Sequence, residues 1–279
     1  IKDNRMRILS ITISRALFVG AFFLSSLQAQ VSVIGELSQD KDTKPGDSYS
    51  GVIVVRNDTN EPQEAKVYQT DYTFQCDGTN NYGDPGSQPR SNAKWIAFSP
   101  SYLTLPPLAT MAVNYTVTVP KELAGNKLVG TYWSMLMVEG IQKGSAESSL
   151  PQKDKKAQMG IMQTIRYGIQ IASTIANTGT KKIEFLGVAI DTTGGKRSLR
   201  IDIKNTGEVG MRPDVTLQLF DAQGTPVGKF SGVKYRMYPG TSVRQLIDVN
   251  SVPLGTYKAL IVVDAGGDDV YGGQYTLKF

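Results

Sequence analysis

From residue 165 onward the side chains alternate. Ile165, Tyr167, Ile169 and Ile171 are apolar, and Arg166 and Gln170 stand between them. Successive side chains of a strand point to opposite faces, so this period predicts a strand with one buried face. The pattern recurs upstream. Met111, Val113, Tyr115, Val117 and Val119 alternate without a break up to Pro120, and Tyr68, Thr70, Tyr72 and Phe74 share another face. Strands are predicted over 31–37, 50–57, 65–74, 95–100, 102–105, 111–119 and 133–138. Turn chemistry separates them, as at Lys44, Pro45, Gly46 and Asp47 or at Pro106 and Pro107. Residues 76–94 are rich in Gly, Asn, Asp, Pro and Ser with no period, which predicts a long surface loop. A second, charged loop is predicted over 141–158, feeding the strand that contains Ile165 to Ile171.

The second half repeats this grammar. Residues 198–206 parallel 51–59: an alternating strand, a basic residue, then Asn and a turn. Further strands are predicted over 215–220, 243–249 and 258–263. Tyr257 follows a Gly and opens a strand, as Tyr132 does after Gly130, in the manner of the tyrosine corner of immunoglobulin-like sandwiches. No long stretch carries a helical period. The expected fold is therefore all-β, with two immunoglobulin-like β-sandwich domains in tandem over 30–177 and 178–279.

Residues 1–29 read as a signal peptide. Arg7 and Arg15 supply a positive start, an apolar run over 16–27 is too short for a comfortable bilayer span, and Ala29 offers a small residue for cleavage. Residues 1–5 are read as lying upstream of the true start at Met6. No second apolar run follows, so the mature chain is expected to carry no membrane span and to be exported. Most of the formal charge of +5 belongs to this leader; without it the balance is about +2, which offers no nucleic-acid footprint.

Candidate chemistry is sparse. The chain contains no His, which removes the commonest general base and metal ligand together. The single cysteine, Cys76, has no partner for an internal disulfide and no His to activate it. Asp264, Asp268 and Asp269 with Gly266 and Gly267 lack the spacing of an EF-hand loop and read as a turn. Neither an enzyme nor a cofactor is expected.

Phe98, Ser99, Pro100, Ser101, Tyr102, Leu103, Thr104 and Leu105, followed by a turn and the alternating strand to Val119 and Pro120, resemble the first domain of the PapD-like periplasmic pilus chaperones. Val54, Val55, Arg56 and Asn57 before a turn with Pro62 fit the same domain, and Val263 to Gly267 loosely match the turn before the last strand. The resemblance implies a periplasmic, non-enzymatic protein that binds pilin-like or other secreted subunits and works with an outer-membrane usher. It also implies a mechanism, in which a strand of the first domain completes an unfinished subunit sandwich. The donor would lie over 160–171, with Ile161, Ile165, Tyr167, Ile169 and Ile171 as pocket fillers. Such chaperones hold the subunit's terminal carboxylate with two basic residues; Arg166 matches one, and 31–37 holds no Lys or Arg for the other. The chain is also similar to WxL-interacting surface proteins, on Pro45, Gly46, Asp47, Val54, Arg56, Asn57, Trp95, Phe98, Ser99, Pro100 and Pro120. That likeness implies a two-domain envelope protein binding a glycan or a partner.

Overall fold

The computed structural model describes residues 30–151 and 164–279. The expected leader over 1–29 lies outside the described residues. The first half contains β1 (Val31–Ile34), β2 (Ser38–Thr43), β3 (Ser48–Asn57), β4 (Gln63–Phe74), β5 (Asn80–Gly83), β6 (Ile96–Ser99), β7 (Tyr102–Leu105), β8 (Thr110–Thr118), β9 (Gly130–Ile141) and β10 (Arg166–Ile175). The second contains β11 (Ile183–Asp191), β12 (Ser198–Asn205), β13 (Asp214–Phe220), β14 (Pro226–Ser231), β15 (Ser242–Asp248), β16 (Thr256–Asp264) and β17 (Val270–Lys278).

These strands make two β-sandwiches. In the first, the sheet β1-β3-β8-β6 faces the sheet β2-β10-β9-β4-β5, with β7 also on β4. In the second, β11-β12-β15 faces β14-β13-β16-β17. All pairings are antiparallel except that of β2 with β10. The alternating residues do what their period requires. Ile53, Val55, Val113 and Val117 meet Val67, Leu136, Val138, Ile169 and Ile171 in the first core, and Leu199, Ile201 and Ile203 meet Leu217, Leu219, Ile261 and Val263 in the second. The fold is the expected pair of immunoglobulin-like sandwiches.

The repeat read from 51–59 and 198–206 has a physical cause. Asn57 and Asn205 end equivalent strands, and both are fully buried. Asn57 Oδ1 accepts from the Thr59 N–H at 2.9 Å, while its Nδ2 donates to the carbonyls of Glu61 and Pro106 at 2.7 and 2.9 Å. Asn205 Oδ1 accepts from the Gly207 N–H at 2.9 Å, and its Nδ2 donates to the carbonyls of Val209 and Met237 at 2.9 and 3.3 Å. Each Asn replaces with its own amide the backbone partners that a turn leaves unpaired. The tyrosine corner is made at Tyr257, whose hydroxyl donates to the Pro253 carbonyl at 3.1 Å. Tyr132 instead packs its ring on Trp95, 4.8 Å between centroids.

Two expectations change. The strand predicted over 31–37 breaks at Gly35, which takes φ +103°, and the chain re-forms as β2 on the opposite sheet. The loop predicted over 76–94 contains the short strand β5, with Tyr82 opposite Tyr72. Elsewhere in this loop the buried Asp71 carboxylate accepts from the Gln88 N–H at 2.8 Å and from the Ser91 hydroxyl at 2.5 Å, which organises a segment without any period.

The turn at 264–269 is filled from within. Lys181 Nζ donates to the Ala265 and Gly266 carbonyls at 2.7 and 3.2 Å, so a cation of the chain's own already sits on its oxygens. Replacing Asn205 by Ala leaves the Val209 carbonyl and the Gly207 N–H without their partner. We expect a stability loss of about 2 kcal/mol or more, read as a lower urea midpoint at unchanged slope. An unchanged midpoint refutes the clamp.

Candidate strand-pairing edge

β10 is covered on one side along its whole length and on the other along only part of it. β9 pairs with it from Arg166 to Ile175. β2 pairs only from Gln170 to Ile175, where the Gln170 N–H donates to the Leu37 carbonyl at 2.9 Å and the Ala176 N–H to Thr43 at 2.9 Å. Those bonds set the parity: even-numbered residues direct their backbone groups away from β9. Arg166 and Gly168 thus carry N–H and C=O groups along an edge that no strand occupies among the described residues.

The side chains of this strand grade from core to rim. Ile169 and Ile171 are 1% and 0% exposed and belong to the chain's own core. Tyr167 packs partly against that core, and Ile165, just before the strand, is half-buried. Ile161 lies outside the described residues. The apolar row named from the sequence is therefore divided. Its C-terminal half fills the first sandwich, and Tyr167 and Ile165 continue the same face toward the rim. At Gly168 the ends of the Met135 and Met137 side chains fill the space a Cβ would take.

Arg166 points into a row of charges on the outer face. Its Nε stands 3.0 Å from Glu139 Oε2, which also accepts from the Tyr68 hydroxyl at 2.8 Å. Lys66 lies 3.8 Å from the other Glu139 oxygen and 2.8 Å from Glu147. This row runs in register across β10, β9 and β4, at the end of β10 remote from the second sandwich.

The segment 142–150, after β9, folds back onto β4 as a strap. Lys143 pairs with Glu61 at 2.6 Å, and Lys66 holds Glu147. Between them the buried Glu64 carboxylate accepts from the Ser148 hydroxyl at 2.5 Å, the Ser149 N–H at 3.1 Å and the Ser149 hydroxyl. Burial works to raise this carboxyl, but the hydrogen bonds from Ser148, Ser149 and Tyr102 outweigh it and bring it down to about 2.

Basic groups do converge where the sandwiches meet, although the first strand supplies none. Trp133 and Tyr238 stack at 4.6 Å and 7°, and the Tyr238 hydroxyl donates to Gln170 Oε1 at 2.9 Å. The Arg236 guanidinium lies 5.6 Å from the Tyr238 ring and is ion-paired with Asp40 of β2. Its Nη2 is buried with no hydrogen-bond partner among the described residues. Arg212 donates to the Ser38 hydroxyl at 2.9 Å and keeps 51% of its side chain exposed. Gly130 closes the junction: at φ +70° a Cβ would fall 2.0 Å from the Glu208 carbonyl oxygen. Sequence reasoning missed Arg212, Arg236, Asp40 and Glu64, since nothing local marks a residue whose partner is on another sandwich or a distant loop. Cys76 sits at the same junction, half-buried, with its N–H donating to the Ser242 hydroxyl at 2.9 Å.

No protein-family model matches the chain. No curated protein matches it either. Among solved structures it is similar to a chain of a chaperone–tip adhesin complex of CFA/I fimbriae, at 16% identity over 89% of this chain and 98% of that one, with a TM-score of 0.46. It is similar to the class 5 fimbriae chaperone CfaA at 14% identity over 88% and 98%, TM-score 0.44. A chain of the Salmonella enterica SafA pilin–SafB chaperone complex gives 12% over 90% and 97%, TM-score 0.43.

The depressed Glu64 carboxyl fixes the sign of a pH effect. Its contribution is complete above its ordinary value of 4.5 and fades as the pH falls toward about 2. Protection of the Ser149 amide against hydrogen exchange should follow that fall and should be absent at every pH in Glu64→Ala. Protection independent of both contradicts the clamp.

Proposed function

We propose that this protein is an exported, non-enzymatic chaperone of the pilus-assembly type, acting in the periplasm with an outer-membrane usher. It captures secreted subunits whose own sandwich lacks a strand. The observation that carries this reading is the edge of β10 at Arg166 and Gly168, on which no strand lies among the described residues, continuous with the rimward side chains Ile165 and Tyr167. An incoming strand gains main-chain hydrogen bonds along the edge and places its subunit's groove over the alternate apolar side chains. Burial of Ile169 and Ile171 in the first core narrows the donor set to Ile165 and Tyr167 among the described residues, with Ile161 kept from the sequence. The resemblance placed a carboxylate anchor on Arg166, which Glu139 already engages. Arg212, half in solvent, and Arg236 are further basic groups for that role; both have Asp40 as a partner and stand beside the point where β2 closes the edge. A guanidinium presents paired donors to a carboxylate, which suits it to this task.

The test is co-expression with a panel of recombinant secreted immunoglobulin-like subunits that lack their closing strand and end in an alternating apolar segment. The chain should co-purify with at least one of them. Ile165→Asp should lower its affinity more than tenfold while the thermal unfolding of the free protein is kept, since a charge would replace an anchor in an apolar pocket. Capture that survives Ile165→Asp and Tyr167→Asp together, or retention on sacculi in place of every subunit, overturns the reading.

A further inference from the structure

The loop that joins β14 to β15 is held along almost its whole length, yet it displays apolar side chains to water. The Gly232 N–H donates to the Val215 carbonyl at 2.8 Å. Gln245, 1% exposed, accepts from the Val233 N–H at 2.9 Å and donates to the Val233 carbonyl at 2.7 Å, pairing with it as a strand would. Residue 232 must be small for this, because a Cβ there would meet Gln245 Oε1 at 2.5 Å. Lys234 pairs with Asp214 at 2.7 Å, Arg236 with Asp40, and Met237 exchanges both backbone bonds with Met211. Within this fixed frame Val233 is 56% exposed and Tyr235 42%. A buried glutamine spent on the backbone of a surface loop, with Val and Tyr left outside, is an arrangement that positions those two side chains. Tyrosine supplies large contact area at little entropic cost, which makes it a common interface anchor.

The position of the loop says what it faces. Arg236, the residue after Tyr235, reaches across to Asp40 of β2, and Arg212 to Ser38, so this end of the loop borders the place where β2 pairs with β10. Leu37, the residue before that closure, is itself 45% exposed. We infer that Val233 and Tyr235 form a second docking surface, contributed by the second sandwich, for the extended apolar segment that pairs with β10. The inference rests on the proposed capture of subunits. It adds that the second sandwich reads the end of the bound segment rather than merely supporting the first.

The test uses the subunit of the panel that wild-type protein captures. Val233→Ser with Tyr235→Ser should weaken it about tenfold by isothermal titration, a change of about 1.4 kcal/mol. Thermal unfolding of the free variant should match that of the wild type, because both positions are exposed. An unchanged affinity with Ile165→Asp still defective overturns this surface and leaves the capture reading standing. Failure of wild-type protein to take any subunit removes the capture reading itself. A wild-type dimer that the double variant converts to monomer makes a second copy the occupant and overturns the inference.

Discussion

How far β2 runs along β10 is the constraint on which the functional face depends. The first strand cannot stay on one sheet: at Gly35 the backbone takes a conformation open mainly to glycine and carries the chain across the open side of the sandwich. Where it lands decides how much of β10 is sealed. It lands at Ser38, beside Gln170, so the rear of β10 is locked between two strands and, among the described residues, the front is paired with β9 alone. An uncovered edge is normally a liability, blunted by charge or by a covering loop. Here Arg166 gives the outer face a charge, but the backbone groups of Arg166 and Gly168 meet no strand on that side among the described residues.

The same landing point joins the sandwiches. β2 is at once the strand that ends the open edge and the strand that meets Arg212 and Arg236 of the second sandwich. Just behind it, Tyr238 lies flat on Trp133 and is bonded to Gln170, deep enough that burial pushes its hydroxyl pKa well above the ordinary value. The edge, the cations and the stacked rings therefore form one mechanical unit. A shift of one sandwich relative to the other would move the arginines with respect to the end of the edge.

Much of the fold is legible in the sequence because burial on one face forces a period of two, as in Met111 to Val119. The repeat around Asn57 and Asn205 is legible because a turn with unpaired backbone groups admits few side chains. β2 is not legible. Its residues, Ser38 to Thr43, are polar, and only Thr43 is buried, so the strand is held by main-chain pairing that leaves no trace in hydrophobicity. For the same reason alternation over 165–171 cannot reveal that Ile169 and Ile171 are core residues while Tyr167 and Ile165 approach the rim: the pattern is identical, and the difference is the length of a neighbour. Arg236 and Glu64 were out of reach because their partners are nearly 200 and about 85 residues away.

The strap over 142–150 has one further property. Its first part is held by partly exposed ion pairs, Lys143 with Glu61 and Glu147 with Lys66, whose attraction weakens as mobile ions screen it. Its last part, at Ser148 and Ser149, is held by a carboxylate that takes neutral donors inside the protein, where ions do not penetrate. Changes in ionic strength loosen the first part of the strap but leave Ser148 and Ser149 in place. The chain therefore leaves the strap toward β10 from a fixed point whatever the surrounding salt.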